Sequence, residues 1–193
     1  MKFDIQGIIR QSISTKEAIL TDPALLEAIL RLAQGCVNSY ENGGKMLLCG
    51  NGGSAADAQH IAAELSGRFY YDRPPLDAEA LHVNSSYLTA VGNDYSYDEI
   101  FSRMVKARGR KGDVLIAIST SGNSENVVRA AHTGKEQGML VAAWTGMGGG
   151  RLAEIADILI DIPSVDTPRI QESHILVGHI LCEYIESRLF PKP

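Results

Sequence analysis

The stretch CGNGGSAADAQHIAAEL, Cys49–Leu65, sets three glycines and a serine directly ahead of a helical pattern that carries His60 and Glu64. Just before it, KMLLCG is a short apolar run of the kind that fills a buried strand. A strand, a glycine turn and a helix in that order bring free backbone N–H groups and the positive end of a helix dipole to one place, which favours an anion. The glycines of Cys49-Gly50-Asn51-Gly52-Gly53-Ser54 let a ligand approach the backbone. Taken alone, they also suit a tight turn with no ligand, which α/β proteins use throughout.

The same alternation continues outward. After Asn42-Gly43-Gly44 come KMLLCG, AEALHV, DVLIAIS, MLVAAWTG and DILIDIP, with helical patterns starting at Ser54 and at about Asn123. Strands alternating with helices predict an α/β fold with a five-stranded parallel sheet flanked by helices, in three α/β/α layers. From Phe3 to about Tyr40 apolar residues recur at helical spacing, and Thr21-Asp22-Pro23 reads as a cap and first turn between two helices. Arg169 to Leu189 is again helical, with a broad apolar face of Ile170, Ile175, Leu176, Val177, Ile180, Leu181 and Ile185. That face suits either a subunit interface shared with the N-terminal helices or burial against the chain's own sheet. The expected organisation is one domain over 1–193: N-terminal helices in 1–42, the α/β core in 43–166 and a C-terminal helix in 167–190.

Composition narrows the classes. With 193 residues, 45% of them hydrophobic and 21% charged, the chain suffices for one full core. A net charge of −5 argues against coating nucleic acid or an anionic membrane, which takes clustered Lys and Arg. Cys36, Cys49 and Cys182 form no C-x-x-C pair, so neither a disulfide framework nor a thiolate zinc site is indicated. No targeting segment is read in MKFDIQGIIRQS, and no apolar run approaches the ~20 residues of a membrane span. A cytoplasmic protein is expected, with a small molecule or a protein as partner.

A second loop resembles the first in placement. Ile118-Ser119-Thr120-Ser121-Gly122-Asn123-Ser124 follows a strand and opens a helix, with four hydroxyls able to donate to phosphate oxygens. One of these polar residues is expected to cap the helix, and four exceed what a cap needs. The chain has no G-x-x-x-x-G-K-[ST], and no G-x-G-x-x-G follows the first strand, which excludes a P-loop and makes a dinucleotide cofactor a poor fit. Neither loop holds Lys or Arg, so a phosphate would rest on backbone dipoles and hydroxyls, as suits a sugar phosphate that comes and goes.

His60 and Glu64 are four apart on one helix face, able to share a metal or a substrate, although surface pairs of this kind are common. Gln171, His174 and His179 interrupt the apolar last helix, where a satisfied core histidine is the usual account of any one of them. Gln171 and His179 are separated by ~12 Å of rise and ~80° of rotation, awkward for one metal unless the helix start deforms or neighbouring chains contribute. Asn93-Asp94 is read in an irregular stretch between strands, able to hold a sugar hydroxyl but on local grounds a polar turn. Trp144, Cys49 and Cys182 are read as packing residues.

Together, CGNGGSAADAQHIAAELSGR, AVGNDYSYDEIFSR, GDVLIAISTSGNSENV and RIQESHILVGHIL resemble the sugar isomerase (SIS) domain family, and within it the phosphoheptose isomerase branch, over nearly the whole chain. The resemblance implies a homotetramer with active sites near subunit interfaces. Its implied reaction converts D-sedoheptulose 7-phosphate to D-glycero-D-manno-heptose 7-phosphate for bacterial surface glycans such as lipopolysaccharide. It also implies one zinc per subunit, held by His60, Glu64, Gln171 and His179. Substrate contacts carried over by motif are Asn51, Gly52, Gly53, Ser54, Glu64, Asn93, Asp94, Ser119, Thr120, Ser121, Ser124 and Gln171. Pro168 departs from the family pattern, which often has an aspartate there. Moving a carbonyl from C2 to C1 needs a base at C1 and an acid at C2, through an enediol(ate), and Glu64 and His179 are the expected pair.

Two other readings accompany this one. A branch of the same family is a non-catalytic tetramer that binds a bacterial replication initiator. That branch does not keep a Glu and a His at the positions of Glu64 and His179, although Leu189-Phe190-Pro191 is similar to its ending. The third reading keeps the isomerase and changes the substrate to another ketose phosphate.

Overall fold

The structure, a computed structural model, describes residues 3–192. Its centre is a five-stranded sheet of β1 (Met46–Gly50), β2 (Ala78–Ala80), β3 (Val114–Ile118), β4 (Leu140–Gly146) and β5 (Ile158–Ile162) in the order β2-β1-β3-β4-β5. Every neighbouring pair is parallel. The inner strands β1 and β3 are buried at every residue, because helices cover both faces, and this is why they read as unbroken apolar runs.

One face carries α1 (Ile5–Leu20), α2 (Pro23–Glu41), α3 (Gly53–Ser66) and α7 (Thr167–Leu189); the other carries α4 (Ser85–Asp94), α5 (Ile100–Arg108) and α6 (Glu125–Glu136). Alternate strand residues feed the two cores: Ile116, Ile118 and Trp144 face the α3–α7 side, Leu115, Ala117 and Ala143 the α6 side. The three-layer expectation holds. Asp22 caps α2, its Oδ1 accepting from the N–H groups of Ala24 and Leu25 at 3.0 and 3.1 Å, with Pro23 in the first turn.

Two local expectations change. AEALHV yields a strand of three residues only; the Leu81 N–H still reaches the Leu48 carbonyl at 2.9 Å, and a turn follows. Asn93 and Asp94 are the last residues of α4 rather than an irregular segment; α4 buries Val91 alone, so its apolar periodicity is faint.

Most of the apolar face of α7 is spent on the chain's own core, with Ile170, Val177, Leu181 and Ile185 at most 2% exposed, while Ile175 and Leu176 are half-buried and Ile180 is exposed. By contrast α1 leaves Ile5, Ile9 and Ile13, one stripe at i, i+4, i+8, half or more exposed. Among the described residues no helix is long and apolar enough to cross a membrane.

Candidate active site

Reversal of the strand order between β1 and β3 opens a crevice at their carboxyl ends, the general place for ligands in such sheets. Gly50 and Ile118 are paired across those two strands, so the glycine loop and the hydroxyl loop emerge side by side. The two phosphate-type loops of the sequence are therefore two walls of one crevice.

In the second wall Ser119 is buried, and its Oγ lies 3.0 Å from that of Ser124 and 3.5 Å from that of Ser121. Ser124 is the N-cap residue of α6, yet its side chain makes no capping bond. The expectation that one of these residues is taken up in capping that helix is corrected: the hydroxyls bond one another, since the loop curls back on Ser119. Thr120 and Ser121 line a cleft of about 220 Å³, together with Ser164, Thr167 and the apolar Met147, Val165 and Ile170. A larger cavity of about 490 Å³ between α1 and the β5–α7 turn shares only Ser164 with this cleft and holds none of the candidate site residues, although Arg169 of the last motif lines it. The smaller cleft is the one with clustered hydroxyls, on the side of the hydroxyl loop that faces the ends of β4 and β5.

The first wall is shaped by close approach. A Cβ on Gly53 would lie 2.4 Å from the Gln171 Nε2, so the glycine is what lets α7 reach the loop. Ser54 is buried in the first turn of α3, its N–H bonded to the Asn51 carbonyl at 3.0 Å. Asn51 exchanges two hydrogen bonds with the buried Asn126 of α6, both 2.9 Å, and accepts a third from the Tyr97 hydroxyl at 3.1 Å. Asn93 donates to Asp94 at 2.9 Å, and it is Tyr97, three residues beyond them, that links their segment to the crevice.

Helices α3 and α7 both leave the carboxyl edge of the sheet and run side by side in the same direction. Gly53 faces Gln171, Ile61 faces Gly178, and His60 meets His179 with the two Nε2 atoms 3.1 Å apart. Glu64 Oε1 lies 3.4 Å from the same His60 Nε2. Tetrahedral ligands at the usual ~2.0–2.1 Å from zinc sit roughly 3.3–3.4 Å from each other, so His60 with His179 and His60 with Glu64 are each spaced as a pair of ligands would be. The two contacts share one His60 nitrogen, and among the described residues no group of three or more His, Cys, Asp and Glu side chains, this trio included, is gathered closely enough to hold a metal. Gln171 stands two turns before His179 in a regular helix that starts at Thr167, against Gly53 and apart from this trio. The start of α7 does not deform to bring it closer.

Three environments complete the region. Burial pushes the Asp57 carboxyl, one turn before His60, up to about 6, while nearby His60 pulls it the other way. His174 is wholly buried, and burial lowers it to about 4 against the opposing hydrogen bond between its Nε2 and the Thr145 carbonyl at 3.1 Å. It is a core histidine, resting on Trp144. Glu125 of α6 is held below the usual carboxylate range by hydrogen bonds from Arg151 and Arg129, which brace the far side of the hydroxyl loop.

Sequence reading passed over Asn126 and Tyr97. For Asn126 a signal existed: it stands beside Val127, Val128, Ala130 and Ala131, a polar residue on the buried stripe of α6. Tyr97 had none, because its partner lies 46 positions away.

A SIS domain family model matches residues 11–146. The phosphoheptose isomerase of Aneurinibacillus thermoaerophilus is 52% identical over 96% of this chain and 94% of its own length. That of Mycobacterium bovis (strain BCG / Pasteur 1173P2) is 55% identical over the same shares. Among solved structures, phosphoheptose isomerase from Neisseria gonorrhoeae superposes with a TM-score of 0.89 at 45% identity, covering 95% of this chain and 97% of that one.

Proposed function

The chain belongs to the SIS domain family and is an isomerase of its phosphoheptose isomerase branch, and from that premise we propose that it converts D-sedoheptulose 7-phosphate to D-glycero-D-manno-heptose 7-phosphate through an enediol(ate), for bacterial heptose biosynthesis. The observation that carries this reading is that His60 meets both Glu64 and His179 on the α3–α7 seam, two turns along α3 from the glycine loop. The seven residues from Gly53 to His60 rise about 10 Å, comparable with the reach from a terminal phosphate to C1 and C2 of a seven-carbon sugar.

In this reading the hydroxyls of Ser119, Thr120, Ser121 and Ser124 and the loop amides hold the phosphate, and Asn51, Gly52, Gly53, Ser54, Asn93, Asp94 and Gln171 hold the chain of the sugar. Fixing the distant phosphate orients the reacting end, so binding energy is spent on alignment. Glu64 takes the C1 proton as a carboxylate, and His179 supplies the proton at C2. His60, Glu64 and His179 are the residues that would hold zinc, and Gln171, two helix turns from them in the same chain, would join as fourth donor only from a neighbouring copy. When bound, the ion supplies positive charge beside the oxygen that becomes anionic. With Oε1 of Glu64 turned to His60, Oε2 is the oxygen left for the proton.

Proton NMR of sedoheptulose 7-phosphate in D₂O tests the reading beside a Glu64→Gln variant. An aldoheptose phosphate carrying deuterium at C2, lost in the variant, is the expected result. No product with zinc supplied defeats the reading, and equal rates on five- and six-carbon ketose phosphates replace the heptose with a broader substrate.

We also propose that copies of the chain assemble as a homotetramer through the α1 stripe of Ile5, Ile9 and Ile13, which this fold leaves half exposed or more. Light scattering should give four times the 20.8 kDa chain mass. An Ile9→Lys variant that remains the same size as the parent removes the stripe from the interface.

A further inference from the structure

We infer that Asn126 and Tyr97 are positioning residues that hold Asn51, and the glycine loop with it, in substrate-binding geometry by joining three segments the chain delivers to the crevice separately. The inference rests on the proposed role of Asn51 as a substrate contact.

Asn126 is 3% exposed and sits on the face of α6 that packs on the sheet. A buried primary amide is costly unless its donors and acceptor are met, and an apolar residue would fill that place without such a demand. Asn126 meets it through Asn51: the Nδ2 of each amide donates to the Oδ1 of the other, both at 2.9 Å. Two bonds between two planar groups fix rotation as well as distance. Tyr97 adds a third constraint, donating to the same Asn51 Oδ1 at 3.1 Å from the short helix Tyr97–Glu99, just after Asn93 and Asp94. Burial does not account for Tyr97, which is 56% exposed; its hydroxyl is held where it reaches Asn51.

The loop has reason to need such a tether. Asn51 precedes Gly52, whose φ of 56° lies in the left-handed region, and then Gly53, so the free loop has many conformations to lose on binding. α3 also starts with no side-chain cap. A side-chain bond from the rigid α6 removes that freedom before the ligand arrives, which lowers the cost of binding. Asn126 therefore connects the glycine loop to the helix behind the hydroxyl loop, and Tyr97 connects it to the Asn93–Asp94 segment.

A double-mutant cycle on kcat/KM for sedoheptulose 7-phosphate tests this, with Asn126→Ala made in the parent and in an Asn51→Ala background and melting temperatures recorded throughout. Asn126→Ala should lower kcat/KM about tenfold, chiefly through KM, and Tyr97→Phe about threefold, as the loss of neutral hydrogen bonds implies. With Asn51 already alanine, the Asn126 substitution should cost less than about twofold, because residues acting through one another are not additive. Equal losses in both backgrounds, or a lower melting temperature with kcat/KM unchanged, overturn the inference. A parent protein with no turnover defeats the functional reading instead; the same cycle is then read on the melting-temperature rise produced by sedoheptulose 7-phosphate, whose sugar chain Asn51 would contact, and absence of a rise or of coupling overturns the tether as well.

Discussion

The two polar clusters, one at the α3–α7 seam and one at the ends of β1 and β3, are built differently. At the α3–α7 seam the polar groups are ionisable, project from helix faces and keep contact with solvent: the His60 and Glu64 side chains are 48% and 26% exposed. At the mouth of β1 and β3 they are neutral amides and hydroxyls, bonded to one another across loops, with Ser119 and Asn126 nearly buried. In the proposed reaction the groups that gain and lose protons are the ones left within reach of water, where no burial penalises a charge. Groups that must only hold a ligand are pre-ordered by mutual hydrogen bonds, which neutral groups accept at low cost.

That contrast is broken most directly at the seam. His179→Gln should lower kcat by about 10²–10⁴, the range for a lost general acid or base, and leave KM within about threefold. Chelation of the parent protein should do the same and be reversed by Zn²⁺. A rise in KM with kcat intact would assign His179 to holding rather than to chemistry, and chelator-resistant turnover of a metal-free preparation would remove the metal from the reaction.

Along α7 itself the contrast repeats, since His174 and His179 share a helix but not an environment. Burial keeps His174 neutral down to about 4, whereas the unfolded chain binds that proton near 6.5. Below 6.5 the unfolded state therefore binds more protons, so stability falls as pH drops from about 6.5 toward about 4, by on the order of 3 kcal/mol. Urea unfolding at pH 7.5 and pH 5 should show about 2 kcal/mol of that loss in the parent and less in His174→Gln, whose amide can still donate to the Thr145 carbonyl. Asp57, pushed up to about 6, works in the opposite sense in both proteins and cancels in the comparison. An unchanged acid limb would mean that water reaches His174.

The smallest effect belongs to the mouth. Ser119→Ala should raise KM about tenfold, the worth of one hydrogen bond to a charged group, with kcat within a few-fold. A selective fall in kcat would blur the division between the two clusters.

Much of this arrangement was legible beforehand, and the exceptions have reasons. β1 and β3 could be read because strands buried on both faces leave unbroken apolar runs, and α2 because Asp22 and Pro23 mark its start. β2 was read three residues too long, since Leu81 is as apolar and buried as a strand residue while its chain is already turning. The end of α4 was read as irregular because one buried valine makes no stripe. His60 and Glu64 could be paired from their spacing alone, a property of any helix.

By itself the sequence determined the order of strands and helices, the two loops at strand ends and the chemical types they carry, because hydrophobic period, turn residues and caps are written in contiguous positions. Only the tertiary structure decided which partners meet. His60 finds His179 across 119 positions and Asn51 finds Asn126 across 75, and of the two histidines on α7 one is turned into the core and the other toward the seam. Those choices depend on how far each helix is rotated and slid against the sheet, which is set by the packing of Ile61, Gly178, Trp144 and their neighbours, and no local pattern encodes that phase.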